Sequence, residues 1–261
     1  MATANNNYTL GKGQVFLASF LAGTQNPDVF MYVGNTPELS VKISTKTLDH
    51  YSADGGIKEK DQQVITDVDR AGTLSTDNLS RENLAKFFLG SKTKVTKVST
   101  PVVAESLTTS AVKGGVYLLG DTTANAMGAR GVDPTTVVVK KGATTYVRGT
   151  DYIVDGDRGT VEILTTGTIA DGDALTVDYT IKASTHEGFI SGSTPFEGAL
   201  LFVATNVVGE KVDYLLPWVK LNPDGDYNLK SDSWIEMKFS LEVLKATGKE
   251  AFYANGLPVY S

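Results

Sequence analysis

Cysteine is absent from this chain of 261 residues, which excludes disulfides, thiolate metal sites and cysteine nucleophiles together. Stability has to come from packing or from assembly. Histidine is almost as scarce: His50 and His186 are the only two, neither has another three or four residues away, and no histidine pair can share a helix face. Long apolar runs are missing as well. The nearest, Val15 to Leu21, is broken by Ser19 and soon meets Gly23, well short of the roughly 18 residues that span a bilayer. The opening MATANNNYTLGKG has neither a basic n-region nor an apolar h-region, so no secretory signal is expected. Basic runs are missing too. Lys and Arg total 24 against 30 Asp and Glu, a net charge of -6, and without clustered cations to displace counterions no nucleic-acid binding site is expected.

What the sequence does have is enough apolar residue, 41%, to bury a core, on a chain close to the length of about 250 to 300 residues at which single cores stop growing. Two modules are expected. Alternation dominates the pattern. Glu38 to Ser44 sets Leu39, Val41 and Ile43 against Ser40, Lys42 and Ser44, the period of a half-buried strand with its apolar set inward. Trp234 to Leu244 repeats the pattern over a length that suits a barrel or tube wall, with Ile235, Met237, Phe239, Leu241 and Val243 inward. Val207 to Leu221 reads as another strand in which Pro217 implies an edge or a bulge. One helix is marked by the N-cap Ser80, the staple residues Leu79 and Leu84, and Gly90 after its last turn. It is expected to run roughly three turns, too short to stand alone, and to dock Leu84, Phe87 and Phe88 on a sheet. The fold class is mainly β with one flanking α-helix.

Composition shifts in the Thr, Ser and Val-rich connector Lys94 to Lys113 and shifts back around Ala183 to Glu187. Between them, Thr136 to Lys140, Thr144 to Val147, Tyr152 to Val154, Thr160 to Leu164 and Ala174 to Ile181 read as short strands, with turns at Lys141-Gly142, Asp155-Gly156 and Asp171-Gly172. This predicts a small immunoglobulin-like β-sandwich at 110–183, inserted into a parent domain made of 1–109 and 184–261.

Motifs for chemistry are weak. No GxSxG elbow, Walker A loop or GxGxxG sequence occurs; Gly11-Lys12-Gly13 continues into Gln14-Val15-Phe16 and reads as a lead into a strand. Asp224, Asp226 and Asn228 begin like a calcium loop, but position 6 is Leu229 and position 12 is Ile235, with Glu236 one place late, so a polar turn is expected. The Asp151, Asp155 and Asp157 group reads as hairpin chemistry. Asn78-Leu79-Ser80 matches a glycosylation sequon and reads as a helix cap. No catalytic residue, metal or cofactor is expected. Leu48 to Asp61 joins two strands but is too long and polar for a tight hairpin, and long loops are commonly functional.

Three segments carry a resemblance: Gly34-Asn35-Thr36-Pro37-Glu38 entering a strand, Asp49-His50-Tyr51-Ser52 before the Gly55-to-Asp61 loop, and Thr73 to Gly90. Together they resemble the major tail tube proteins of long-tailed, siphovirus-like bacteriophages, over the first 90 residues and more loosely the last 75. The 110–183 module resembles accessory immunoglobulin-like domains of phage structural proteins. The resemblance implies a tail-tube β-sandwich or half-barrel, six copies to a ring, rings stacked into a conduit for DNA ejection, and a place in the virion tail after synthesis in the host bacterial cytoplasm. It also implies partners: further copies of the chain, the tape measure, tail terminator and distal tail proteins, and DNA in transit only, with no membrane. Asp54, Gly55, Gly56, Lys58, Glu59, Lys60 and Asp61 become candidates for the ring-to-ring contact. Ser40, Lys42, Ser44, Asp67, Asp69, Glu236, Lys238 and Glu242 become candidates for the lumen face. Two alternatives stay open: another virion β-protein, such as a decoration or baseplate component, and a carbohydrate-binding module. The latter would need exposed Trp, and Trp218 and Trp234 read instead as core or interface.

Overall fold

Alternating sequence becomes strand along most of the chain, and the computed structural model describes residues 8–258. In order, β1 (Gly13–Ser19), β2 (Met31–Tyr32), β3 (Glu38–Ser52), β4 (Glu59–Thr76), α1 (Arg81–Phe87) and β5 (Ser91–Lys97) lead outward. Then come β6 (Thr100–Thr108), β7 (Val116–Leu118), β8 (Val138–Lys141), β9 (Thr144–Thr145), β10 (Tyr152–Asp155), β11 (Thr160–Ile163) and β12 (Leu175–Ile181). Finally β13 (Ser184–Ile190) leads back to β14 (Phe196–Ala204), β15 (Val212–Pro223), β16 (Met237–Val243) and β17 (Tyr253–Gly256). The class is mainly β with one helix, and the chain divides into two units: one runs up to Thr93 and resumes at Gly188, the other is Lys94–Glu187.

The first unit is an eight-stranded sheet in the order β2-β1-β14-β15-β16-β4-β3, with β17 also on β15. Met237, Phe239, Leu241 and Val243 of β16 all point into its core, joined by Leu200, Leu216, Val219, Leu221 and Leu74. Each such burial contributes about 1.5–3 kcal/mol. Pro217 sits at a bulge: Gly198 pairs with Val219 and Leu200 with Leu216, leaving Pro217 and Trp218 opposite Ala199 alone. Before the bulge β15 pairs with β17, and after it with β16. Helix α1 is capped by Ser80, whose hydroxyl accepts from Asn83 N at 3.2 Å. It buries Leu84 and Phe87 on the core, but at 7 residues it is shorter than the three turns expected. The positive φ of 54° at Leu89 ends it early.

Two expectations about β3 and β4 need correction. Leu48 to Asp61 is not a loop; every residue of β3 pairs with β4, and only 53–58 lie between the strands. Leu39 packs on the core, but Val41 and Ile43 do not point inward, being 38% and 64% exposed. The reason is topological. β16 covers β4 only over Ala71–Thr76, so from Arg70 outward β3 and β4 form a two-stranded arm that, among the described residues, has no third strand beside it.

In the second unit, a three-stranded sheet β10-β11-β7 and a four-stranded sheet β6-β12-β8-β9 enclose a core of Leu119, Val139, Tyr152, Val161, Ile163 and Val177, among others. β6 lies in the stretch expected to be a connector and pairs along β12, and Leu107 joins the core, so the unit begins at Lys94 and not at 110. Its alternation is broken by Ala104, held at φ 54° with its N–H donated to Asp178 Oδ1 at 2.7 Å. By sequence order the sheets read first-seventh-third-fourth and fifth-sixth-second, not the first-second-fifth-fourth and third-sixth-seventh of an immunoglobulin constant domain. β5 and β13, which carry the chain out and back, pair with each other as a two-stranded sheet.

Candidate assembly surface

Strand parity fixes two faces on the first unit's sheet. The face away from the core is laid out in cross-strand rows. One row runs Glu197, Lys220, Glu242, Ala71, Lys42; the next Asn222, Ser240, Thr73, Ser40; the next Lys238, Ser75, Glu38. Along the arm, Ser44 pairs with Asp69 and Lys46 with Asp67. Seven of the eight residues expected on the lumen side therefore share one face: Ser40, Lys42, Ser44, Asp67, Asp69, Lys238 and Glu242. Glu236 precedes β16 and lies outside the strand, exposed.

Two of the lysines on this face are paired in place. Lys220 Nζ meets Glu197 Oε1 at 2.8 Å, and Lys46 Nζ meets Asp67 Oδ2 at 3.6 Å. The hydrogen bond from Lys220 to Glu197 holds the ammonium above its ordinary range. Ser40 Oγ and Thr73 Oγ1 lie 2.8 Å apart, and Thr73 donates on to Glu38 Oε1 at 2.9 Å. Glu197, Glu242, Asp67, Asp69 and Glu38 thus stand against Lys220, Lys42, Lys46 and Lys238, with no cluster of cations.

On the opposite face the inner half of the arm carries an apolar stripe, with Arg70 opposite Ile43 in its midst and Asp49 and Gln63 beyond it. The stripe leaves the core at Leu39 and Leu74 and continues through Val41, Ile43, Val68 and Ile65, all exposed. At its root lies a cavity of about 250 Å³ lined by Leu39, Val41, Leu200, Phe202, Leu216 and Phe252, where the core opens outward. Among the described residues nothing pairs with the far side of β3, so its whole 15-residue length is a free edge there.

The expected ring-contact residues lie at the arm's end, all exposed. Asp54, Gly55, Gly56 and Lys58 are in the turn, and Glu59, Lys60 and Asp61 open β4. The strands here are stitched by side chains. Lys60 Nζ lies 2.7 Å from Asp49 Oδ1, Gln63 donates to the same oxygen at 2.9 Å, and His50 Nδ1 lies 2.6 Å from Asp61 Oδ1. The Lys60 contact holds the Asp49 carboxyl below its ordinary range.

On the face away from the core, at the β17 end of the sheet, lies a second cavity of about 540 Å³, lined by Ala199, Leu201, Leu215, Pro217, Asp213 and Lys249 among others. Trp218 is half-buried, its indole N–H unpartnered. Trp234 is neither in a strand nor in the core: it stands 92% exposed in the loop before β16. Asp151 does more than turn chemistry: its carboxylate is buried and accepts from Val147 N, Thr168 N and Thr168 Oγ1, each at 2.8 Å. No group of three His, Asp or Glu side chains placed to hold a metal occurs among the described residues, and none of their helices is long and apolar enough to cross a membrane.

One family model, described as protein of unknown function UCP028589, matches residues 8–254. No curated protein matches.

Proposed function

The chain belongs to this family of unknown function over nearly its whole length; membership brings no activity with it, and we propose that the protein is a self-assembling structural subunit, the repeating unit of a phage tail tube. The observation that carries this reading is the arm. A 15-residue strand with a free edge, an exposed apolar stripe and an open core mouth at its root is costly for a solitary protein and invites pairing with another chain. Closure against neighbouring copies covers edge, stripe and mouth together, and cyclic association abolishes the edge altogether.

The polar face supplies the second part. In a closed ring the rows from Glu197 to Lys42 form a continuous wall. Two of its four lysines, Lys220 and Lys46, are ion-paired within the subunit and the four stand dispersed among five carboxylates, so it offers a passing polyanion no cation cluster from which to displace counterions. Such a wall lets DNA through without holding it. The arm's turn, with Asp54 and Lys58, extends toward a further ring. Other tail components, the tape measure, terminator and distal tail proteins, would meet the ends of such a tube.

Negative-stain electron microscopy of the untagged chain at rising concentration tests the reading. Rings or tubes with an open channel are the expected result. A two-fold dimer that grows no further, with two β3 edges paired to each other, would refute it, as would a monomer that also fails to polymerise on a tail-initiation complex.

A further inference from the structure

The loop before β16 and the groove beside β17 are unused by the arm. The loop, residues 224–236, carries Leu229 at 85% and Trp234 at 92% exposure, bracketing Lys230 and Asp232. Among the described residues neither Lys230 nor Asp232 makes an ion pair. A bare indole forgoes the burial of about 150–250 Å² that makes Trp the commonest anchor of protein interfaces. The groove is the complement: about 540 Å³, floored by Ala199, Leu201, Leu215 and Pro217, with Asp213 and Lys249 in its lining. Among the described residues the Lys249 ammonium meets only the amide oxygen of Asn26, at 3.4 Å, and Asp213 spends one oxygen on Ala204 N at 2.8 Å, so both keep capacity for an incoming opposite charge.

The loop does not fill the groove of its own chain: Leu229 and Trp234 are exposed, and no residue of the loop lines it. The groove lies along the first half of β15, up to Pro217, whereas the loop leaves β15 at Pro223. Six residues of extended strand, about 20 Å, separate them.

We propose that the Leu229–Trp234 loop of one copy docks in the groove of a second copy, with Trp234 on the apolar floor, Asp232 facing Lys249 and Lys230 facing Asp213. Knob and socket sit at opposite ends of one strand, so the contact is head-to-tail and leaves one of each free to continue the series. This rests on the self-assembly reading above and names one of its contacts.

The absence of native cysteine makes cross-linking a clean test. Ser233→Cys, beside Trp234 in the loop, and Asn255→Cys, in the lining of the groove, keep both proposed charge pairs; they are introduced singly and together in the full chain and treated with a short bis-maleimide. Mixed single variants should give a cross-linked dimer only, and the double variant a ladder. Adding Trp234→Ala should raise the concentration for half-maximal cross-linking about thirtyfold without lowering the melting temperature, since the indole touches little in its own chain. No cross-link in samples that show tubes by microscopy would overturn the docking and leave the tube standing. A ladder without rings or tubes would support the docking and refute the tube. A double variant that stops at dimer would overturn the head-to-tail contact.

Discussion

Truncating Ile43 to alanine separates an assembly role for the arm from a packing role within the subunit. The side chain is 64% exposed on the apolar stripe, so about two thirds of its surface is available for burial by a neighbour. Full burial of an isoleucine is worth about 1.5–3 kcal/mol, which leaves about 1–2 kcal/mol for each subunit contact. At 1.4 kcal/mol per factor of ten, Ile43→Ala should weaken each contact about fivefold to thirtyfold. Within the subunit the same change should cost less than about 0.5 kcal/mol, as exposed substitutions do. Leu241→Ala, at a fully buried core position, is the contrast, with an expected cost of about 2–5 kcal/mol. The assays are the critical concentration for polymerisation by light scattering and thermal unfolding of dilute subunits. An unchanged critical concentration for Ile43→Ala, or a melting temperature lowered as far as by Leu241→Ala, would refute the reasoning.

Asp151 should make the second unit acid-sensitive. Hydrogen bonds from the Thr168 and Val147 amides hold its carboxyl below the ordinary range. With the folded pKa below the unfolded value of about 3.9, its contribution is fully present above that value and lost as pH falls through the folded pKa. Asp151→Ala should therefore lower the stability of the isolated 94–187 unit in neutral denaturant titrations by about 3 kcal/mol and flatten its loss below pH 4; an unchanged profile would count against this. Asn83 donates to Val33 O at 2.8 Å and to Asn78 O at 2.9 Å while buried, so Asn83→Ala should cost about 2 kcal/mol in chemical denaturation. β5 and β13 pair with each other, and the Thr96 and Thr185 hydroxyls lie 3.3 Å apart. Replacing 98–183 with Asn-Gly should close them into a hairpin and leave the first unit folded and polymerising, which circular dichroism and microscopy would check.

Burial is what made sequence legible here. Met237 to Val243 alternates because β16 has a core on one side and the polar rows on the other, and the strand falls within the stretch the period marks, without its first three residues. The arm defeats the same logic. With both faces exposed there is no inward side to mark, so His50-Tyr51-Ser52 and Glu59-Lys60 read as loop although they pair across the ladder. In β6 the left-handed residue Ala104 interrupts the period, and the strand is lost in a run of Thr, Ser and Val. Pro217 was legible as an edge or a bulge, because a missing N–H leaves few alternatives in a sheet, and the structure makes it the bulge. The shared face of Ser40, Lys42, Ser44, Asp67 and Asp69 followed from parity within two strands. The groove was not legible, since it is assembled from β14, β15 and the segment around β17, and no local pattern announces such a meeting. Trp234 was misplaced because an apolar residue in phase with a strand gives no sign that the strand starts three residues later.

The two irregularities in the arm have a consequence of their own. β4 carries one extra residue opposite the step from Lys46 to Thr47, which is Thr66, and another opposite the step from His50 to Tyr51, which is Asp61. A ribbon wet on both sides has almost no preference between neighbouring alignments, and a slip along it would expose and bury nothing new. Each extra residue is held by a bond that exists at one alignment only: the Thr66 hydroxyl donates to Lys46 O at 3.3 Å, and Asp61 meets His50. They act as index marks, fixing how far the tip at Asp54 stands from the body of the protein. A structure built by repeating one distance many times needs that distance to be the same in every copy.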